Sequence, residues 1–234
     1  MEILDELMAR AEADSRVRGV ILTGSHARGL ATAHSDVDVT VVLPDADHDW
    51  RRDRTGVVDL AWLTVDQLAD TSDPWQRYAF RGARVLLDRG GVAELVGRQA
   101  EPTGDEARHW AEDYLDGYVN LLYRAAKSRR DGHPGAALLD EQESVSWLLG
   151  TVFALYGRVR PYSKYLKWEL STFPLPEPWN DHLAPEHVAH HPVELFPAVE
   201  RLARERGHGE LLDSWGTDID LIRNSRRGAG QVGV

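Results

Sequence analysis

The sequence predicts an α+β protein: a small mixed sheet with flanking helices over residues 1–100, then an α-helical bundle over residues 101–225, with residues 226–234 expected to form a disordered tail. Three observations carry this prediction. Short β-branched and aliphatic runs recur between residues 20 and 88. From residue 103 the apolar period changes to steps of three and four. Gly and Pro clusters punctuate both regimes at the spacing that short connections require.

Element by element, Ile3, Leu4, Leu7, Met8 and Ala11 recur at helical spacing and open the chain with an amphipathic helix. Strands follow at Val20–Leu22 and Val37–Leu43, with a short helical turn expected at His26–Gly29 and a stop at Pro44 and the Asp45–Asp49 cluster. A third strand is read at Val57–Leu63. Short helices are expected at Val65–Leu68 and Trp75–Phe80, and a further strand at Ala83–Asp88 ends at Gly90-Gly91. In the second half Trp110, Tyr114, Tyr118, Leu122 and Ala125 form one stripe of a long helix, stopped by Asp131-Gly-His-Pro134. Another helix runs from Pro134 to Tyr156, and a third begins after Pro161 with Lys164, Leu166, Lys167 and Trp168. Residues 173–192, rich in Pro and His, read as a long loop, and 193–206 and 209–223 as two last helices.

Composition narrows the function classes. An apolar content of 42% fills a core for 234 residues, and a formal charge of −11 argues against a broad nucleic-acid surface, which draws its affinity from clustered Lys and Arg. Small-molecule or cationic partners fit better. The absence of cysteine excludes disulfides, thiolate zinc sites and cysteine nucleophiles. An acidic amphipathic N-terminus is unlike a signal peptide, and the longest apolar-rich stretch, 145–159, is too short to span a bilayer. A cytoplasmic location without a membrane partner is expected.

The chemistry is concentrated in the run GSHARGLATAHSDVDV, residues 24–39. Gly24 lets a backbone turn approach phosphates without a Cβ, while Ser25 and Ser35 supply hydroxyls. Asp36 and Asp38, two apart on a strand, point to one side, and Asp59 sits in the next strand-like run. Three carboxylates on adjacent strands can hold two divalent cations, Mg²⁺ by preference, and two such ions ~4 Å apart suit attack on a triphosphate. Asp59 either completes the acceptor-side ion or takes the acceptor's proton. Lys164, in the first turn of a helix, works against the helix dipole unless an anion lies nearby, which makes it a phosphate candidate.

These residues resemble the DNA polymerase β-like nucleotidyltransferase superfamily, whose signature is a Gly-Ser turn, a spacer, Asp-x-Asp and a third acid on a later strand. The likeness covers residues 18–63. The run Ser146–Trp168 is similar to the helical domain of aminoglycoside (streptomycin/spectinomycin) adenylyltransferases, where a helix ends in a Gly-basic turn before a Pro, a Lys and a Trp. The resemblance implies a nucleotidyltransferase fold followed by a helical substrate domain, with Asp36 and Asp38 on Mg²⁺, and Ser25, Ser35 and Lys164 on ATP or another NTP. It implies transfer of AMP, or another NMP, to a hydroxyl of a small acceptor such as an aminoglycoside antibiotic, hence antibiotic resistance. The third acid in that family is Glu and acts as base; here it is the shorter Asp59.

Acceptor contacts are read less directly. Asp116 and Asn120 lie on a polar stripe with Asp113, Arg124 and Lys127, which serves an acceptor or a solvated face equally well. Glu143 shares a face with Leu139, Ser146 and Gly150, a grouping that would make a groove around one carboxylate for a cationic acceptor or an alternative base. His182, His187, His190 and His191 lie among prolines without regular ligand spacing and read as loop. A second function class stays open: an antitoxin-like nucleotidyltransferase that modifies or binds a protein partner. A homodimer is compatible with either.

Overall fold

The computed structural model describes residues 2–54 and 57–225, and the chain divides into two compact units, Met1–Pro102 and Thr103–Val234. The tail expected at 226–234 lies outside the described residues.

The first unit runs α1 (Glu2–Ala13), β1 (Gly19–Leu22), α2 (Gly24–Ala27), β2 (Val37–Leu43), β3 (Asp53–Arg54), β4 (Val58–Thr64), α3 (Val65–Ala69), α4 (Pro74–Arg77), a 3₁₀ turn (Tyr78–Phe80), β5 (Arg84–Asp88) and α5 (Val92–Ala100). Its five strands form one sheet in the order β3-β4-β2-β1-β5. Only β2 and β4 pair in parallel; the other neighbours are antiparallel. Both faces are packed, so β1, between β2 and β5, is buried throughout. Val20, Leu22, Val39 and Leu43 join Ala11, Val17 and Trp50 on one side, while Ile21 and Val42 meet Leu68, Phe80, Val92 and Val96 on the other.

Side-chain caps fix where these elements begin and end. Thr64 and Gln67 form a capping box at the start of α3, and Asp73 accepts from Trp75 N–H ahead of α4, where Pro74 loses no needed donor. Asp88 accepts backbone N–H bonds from Ala93, Gly90 and Val92, which launch α5 and hold its carboxyl below the usual range. The far end of α5 is closed by buried Arg77, which donates to the carbonyls of Gln99 (3.0 Å) and Arg98 (2.6 Å). Asp14 accepts from the Arg16 side chain and from Trp50 Nε1, and these bonds, the Arg16 ones foremost, lower its pKa to about 2.

Helices make up the second unit: α6 (Gly104–Arg130), α7 (Pro134–Leu155), a 3₁₀ turn (Ser163–Tyr165), α8 (Leu166–Thr172), α9 (Trp179–His182), α10 (Pro185–Val188), α11 (Phe196–Glu205), α12 (Gly209–Ser214) and α13 (Asp218–Ser225). A capping box between Thr103 and Glu106 starts α6. Trp110, Tyr118, Leu122 and Ala125 of the predicted stripe are buried. The α6–α7 contact is a reciprocal interlock: a Cβ on Gly117 would come within 2.2 Å of the Trp147 ring, and one on Gly150 within 2.5 Å of the Tyr114 ring. Arg124–Asp140 (2.9 Å) and a bidentate Arg129–Glu141 pair (2.8 and 2.6 Å) close the same interface.

The class is the predicted one, and the differences are local. Strand β3 and helix α5 were not foreseen, and α2 begins at Gly24, two residues ahead of the expected turn. The segment read as loop at 173–192 contains α9 and α10, started respectively after Pro178 and by Pro185 at the first helical position. The single helix expected over 209–223 is two, broken where Gly216 adopts φ 54°. Among the described residues no helix is long and apolar enough to cross a membrane.

Candidate functional site

The site lies where β1 gives way to α2 beside the start of β2. Thr23 N–H donates to the carbonyl of Asp38 at 2.9 Å, continuing the β1–β2 ladder past the last strand residue. The chain then turns at Gly24, φ +64°, a region that disfavours any Cβ. A Cβ there would lie 1.7 Å from Asp38 Oδ2. Glycine is therefore required twice over, by the dihedral and by the carboxylate packed on it.

Buried Arg28 locks this turn. Its guanidinium donates to the carbonyls of Gly24 (2.9 Å), Tyr78 (3.0 Å), Ala79 (3.2 Å) and Arg81 (2.5 Å), so α2 is bolted to the 3₁₀ turn across the unit. Carbonyl acceptors are suited to a guanidinium, whose N–H groups only donate. Sequence reasoning missed this residue. The available signal was its position, four residues after Gly24 at the end of a one-turn helix.

Parallel pairing supplies the acids. Asp36 sits one residue before β2, Asp38 is its second residue, and Asp38 stands opposite Asp59 in the β2–β4 register. One carboxylate oxygen from each of Asp36, Asp38 and Asp59 lies within 4.8 Å of the others, and all three residues are half-buried. Three like charges at that spacing repel, and oxygen donors so gathered fit hard divalent cations such as Mg²⁺. The register of β3 against β4 places Arg54 opposite Asp59, and its Nε lies 3.3 Å from Asp59 Oδ2. Arg54 is 83% exposed in its side chain, so this pair is a weak, displaceable one. Like Arg28, it was not singled out from sequence, because a two-residue strand leaves no periodic trace.

Ser25 is buried within α2, next to the glycine. Ser35 accepts a 2.9 Å bond from Thr32 N–H, which folds the loop that delivers Asp36. Lys164, expected in the first turn of a helix, lies instead in the 3₁₀ turn ahead of α8; it is exposed, with Nζ 5.4 Å from the Tyr165 ring centroid. Asp116 and Asn120 are exposed one turn apart on α6, and Asp116 accepts a 3.0 Å bond from Trp215 Nε1. The groove expected around Glu143 is not formed by its own face of α7. Glu143 and Ser146 are exposed, Leu139 is 72% exposed, and Gly150 is spent against the Tyr114 ring.

Comparison with known proteins bears on the first unit above all. Residues 1–73 match the nucleotidyltransferase domain family, a span that includes Gly24, Ser25, Ser35, Asp36, Asp38 and Asp59. Among solved structures, a nucleotidyltransferase-like protein from Exiguobacterium sibiricum 255-15 aligns over 97% of this chain and 91% of its own, at 14% identity and a TM-score of 0.44. No curated protein matches. With the three acids, the Gly24 turn and their register inside the matched span, residues 1–73 support a nucleotidyltransferase domain, and with it a transferase.

Proposed function

We propose that the protein transfers an NMP group, AMP in the leading case, from a Mg²⁺-bound NTP to a hydroxyl of a small acceptor and releases pyrophosphate. One observation carries the reading: three carboxylates within 4.8 Å of each other beside a glycine turn, all inside the nucleotidyltransferase match. Asp36, Asp38 and Asp59 would hold the divalent ions, which when bound offset the charge of the triphosphate. The acceptor O–H gives up its proton, its oxygen bonds to the α-phosphorus, the bond from that phosphorus to the bridging oxygen breaks, and pyrophosphate leaves with the electron pair.

The chain's own groups bind and orient. Gly24 keeps the turn bare for phosphate, Ser25 and Ser35 offer hydroxyl donors, and Lys164 is the point charge for the phosphates in this reading. Asp59 takes the acceptor's proton once Arg54 has swung away, or serves as the third ligand. Replacement by Asn separates the two roles: a large loss of kcat with NTP affinity kept identifies the base, and loss of NTP binding identifies the ligand. Asp116, Asn120 and Glu143 are the acceptor contacts in this reading, suited to amines and hydroxyls of an aminoglycoside-type molecule.

Pyrophosphate release tests it, measured with each common NTP and Mg²⁺ against aminoglycosides, lincosamides, free nucleosides and a candidate partner protein. Transfer from ATP to a small molecule is expected, and Lys164→Ala should raise the apparent KM for NTP about tenfold, ~1.4 kcal/mol. Label found only on protein favours the antitoxin-like reading. No Mg²⁺-dependent release with any NTP would overturn nucleotidyl transfer.

A further inference from the structure

The histidine-rich stretch of the helical unit is ordered into helical turns rather than loop. Beyond α10 the chain makes one more helical hydrogen bond, His191 N–H to the His187 carbonyl at 3.1 Å, so His187 and His191 stand one turn apart on the same side. Their ring centroids are 4.7 Å apart. His182, from α9, stacks against His187 with centroids 5.9 Å apart and planes 16° from parallel. Three imidazoles therefore line up in the order His182, His187, His191. All three are half-buried.

A fourth group lies against one ring. His191 Nδ1 lies 2.9 Å from Glu194 Oε2. The contact is one of charge and not a hydrogen bond, since Nδ1 has no hydrogen-bond partner, so a ring nitrogen of His191 stays open to a metal beside a carboxylate that offsets the ion's charge. Neutral imidazoles at i and i+4 on a helical turn form a chelate whose ligands the backbone has already brought together. Nitrogen donors of this kind select late first-row ions over Mg²⁺.

We propose that His187 and His191 chelate a late first-row transition ion, Zn²⁺ being the expected one, with His182 as the third imidazole. Among the described residues only the aspartate group presents three ligand atoms within 4.8 Å of one another, so His182 joins by rotation of its ring, whereas the pair is set by the backbone. The consequence is mechanical. Pro192 follows directly, and its carbonyl accepts the Tyr118 hydroxyl of α6 at 2.5 Å. His190, His191 and Pro192 also form one wall of a cavity of about 990 Å³, whose opposite lining includes Leu122, Arg129 and Glu141. An ion on the chelate staples that wall to α10. The nitrogen site and the aspartate site thus divide the metals by donor chemistry.

Co²⁺ titration of the full-length chain without an affinity tag, followed by visible absorption in excess Mg²⁺, tests the assignment. One equivalent should bind and be displaced by Zn²⁺, and Zn²⁺ should raise the melting temperature. His187→Ala and His191→Ala should each weaken binding about tenfold or more, while Asp36→Asn with Asp38→Asn leaves it unchanged. Binding that survives the His187→Ala, His191→Ala double variant, or that disappears with the aspartates, overturns the site. X-ray absorption on the Zn²⁺-loaded wild type reads the ligands without any variant: imidazole scattering supports the chelate, and an all-oxygen shell refutes it.

Discussion

The two units use their carboxylates in opposite ways. In the helical unit Asp140, Glu141 and Glu169 are buried, and each faces an arginine: Arg124, Arg129 and Arg158 at 2.9, 2.6 and 3.9 Å. At the start of β2 and β4 Asp36, Asp38 and Asp59 crowd together, and Asp59 meets the exposed Arg54. Pairing of the first kind holds helices in register. Crowding of the second kind costs stability in the absence of a cation, and a fold retains such an arrangement where binding repays it.

The sharpest way to break this comparison is to remove charge from the aspartate cluster. Asp36→Asn with Asp38→Asn should lower nucleotidyl transfer by about a thousandfold or more, since the ions that neutralise the triphosphate lose two ligands. Stability should move the other way. Without Mg²⁺ the variant should melt at or above the wild-type temperature, because like-charge repulsion is relieved, and added Mg²⁺ should stabilise only the wild type. A variant that melts well below wild type would place these acids with the structural carboxylates of the helical unit.

Gly24→Ala probes the same cluster through the backbone. The φ of +64° costs an L-residue about 1–2 kcal/mol, and the new Cβ falls within 1.7 Å of Asp38 Oδ2 as it now lies, so the carboxylate must move. We expect kcat/KM to fall about 10- to 100-fold and the melting temperature to drop by a few degrees, about what that strain implies. Full activity would mean that the close contact of Gly24 with Asp38 is incidental to the chemistry.

The contrast also explains what the sequence disclosed. Asp36, Asp38 and Asp59 were legible because a strand's period of two and an apolar frame announce which side chains share a face. Their gathering on adjacent strands was expected, but not the pairing that achieves it, β2 parallel to β4 with Asp38 opposite Asp59, which is a tertiary fact. Arg28 and Arg54 escaped for the same reason: carbonyl partners fifty residues away and a two-residue strand have no local signature. In the helical unit the apolar stripe of α6 could be read, but polar residues could not be sorted into ion pairs, tethers and free groups. Asp116 holds Trp215, and Gly150 serves the Tyr114 ring rather than a groove at Glu143. Prolines misled at 173–192, where Pro185 opens a helix instead of preventing one.

The smallest effect expected belongs to the helical unit and separates the two uses of charge. Glu141→Gln removes the negative partner of Arg129, leaving a guanidinium that is 47% exposed and can turn to water. Breaking a fully buried pair costs more, so a penalty of about 1–2 kcal/mol is expected here, a shift of roughly 3–6 °C for a chain of this size. Because the pair joins α6 to α7 and takes no part in phosphate binding, NTP affinity and the Mg²⁺ requirement should stay at wild-type values. Thermal melting and NTP titration on the same preparation check both halves. A change in NTP affinity without a loss of stability would show that the buried carboxylates of the helical unit act on the reaction and not on its scaffold.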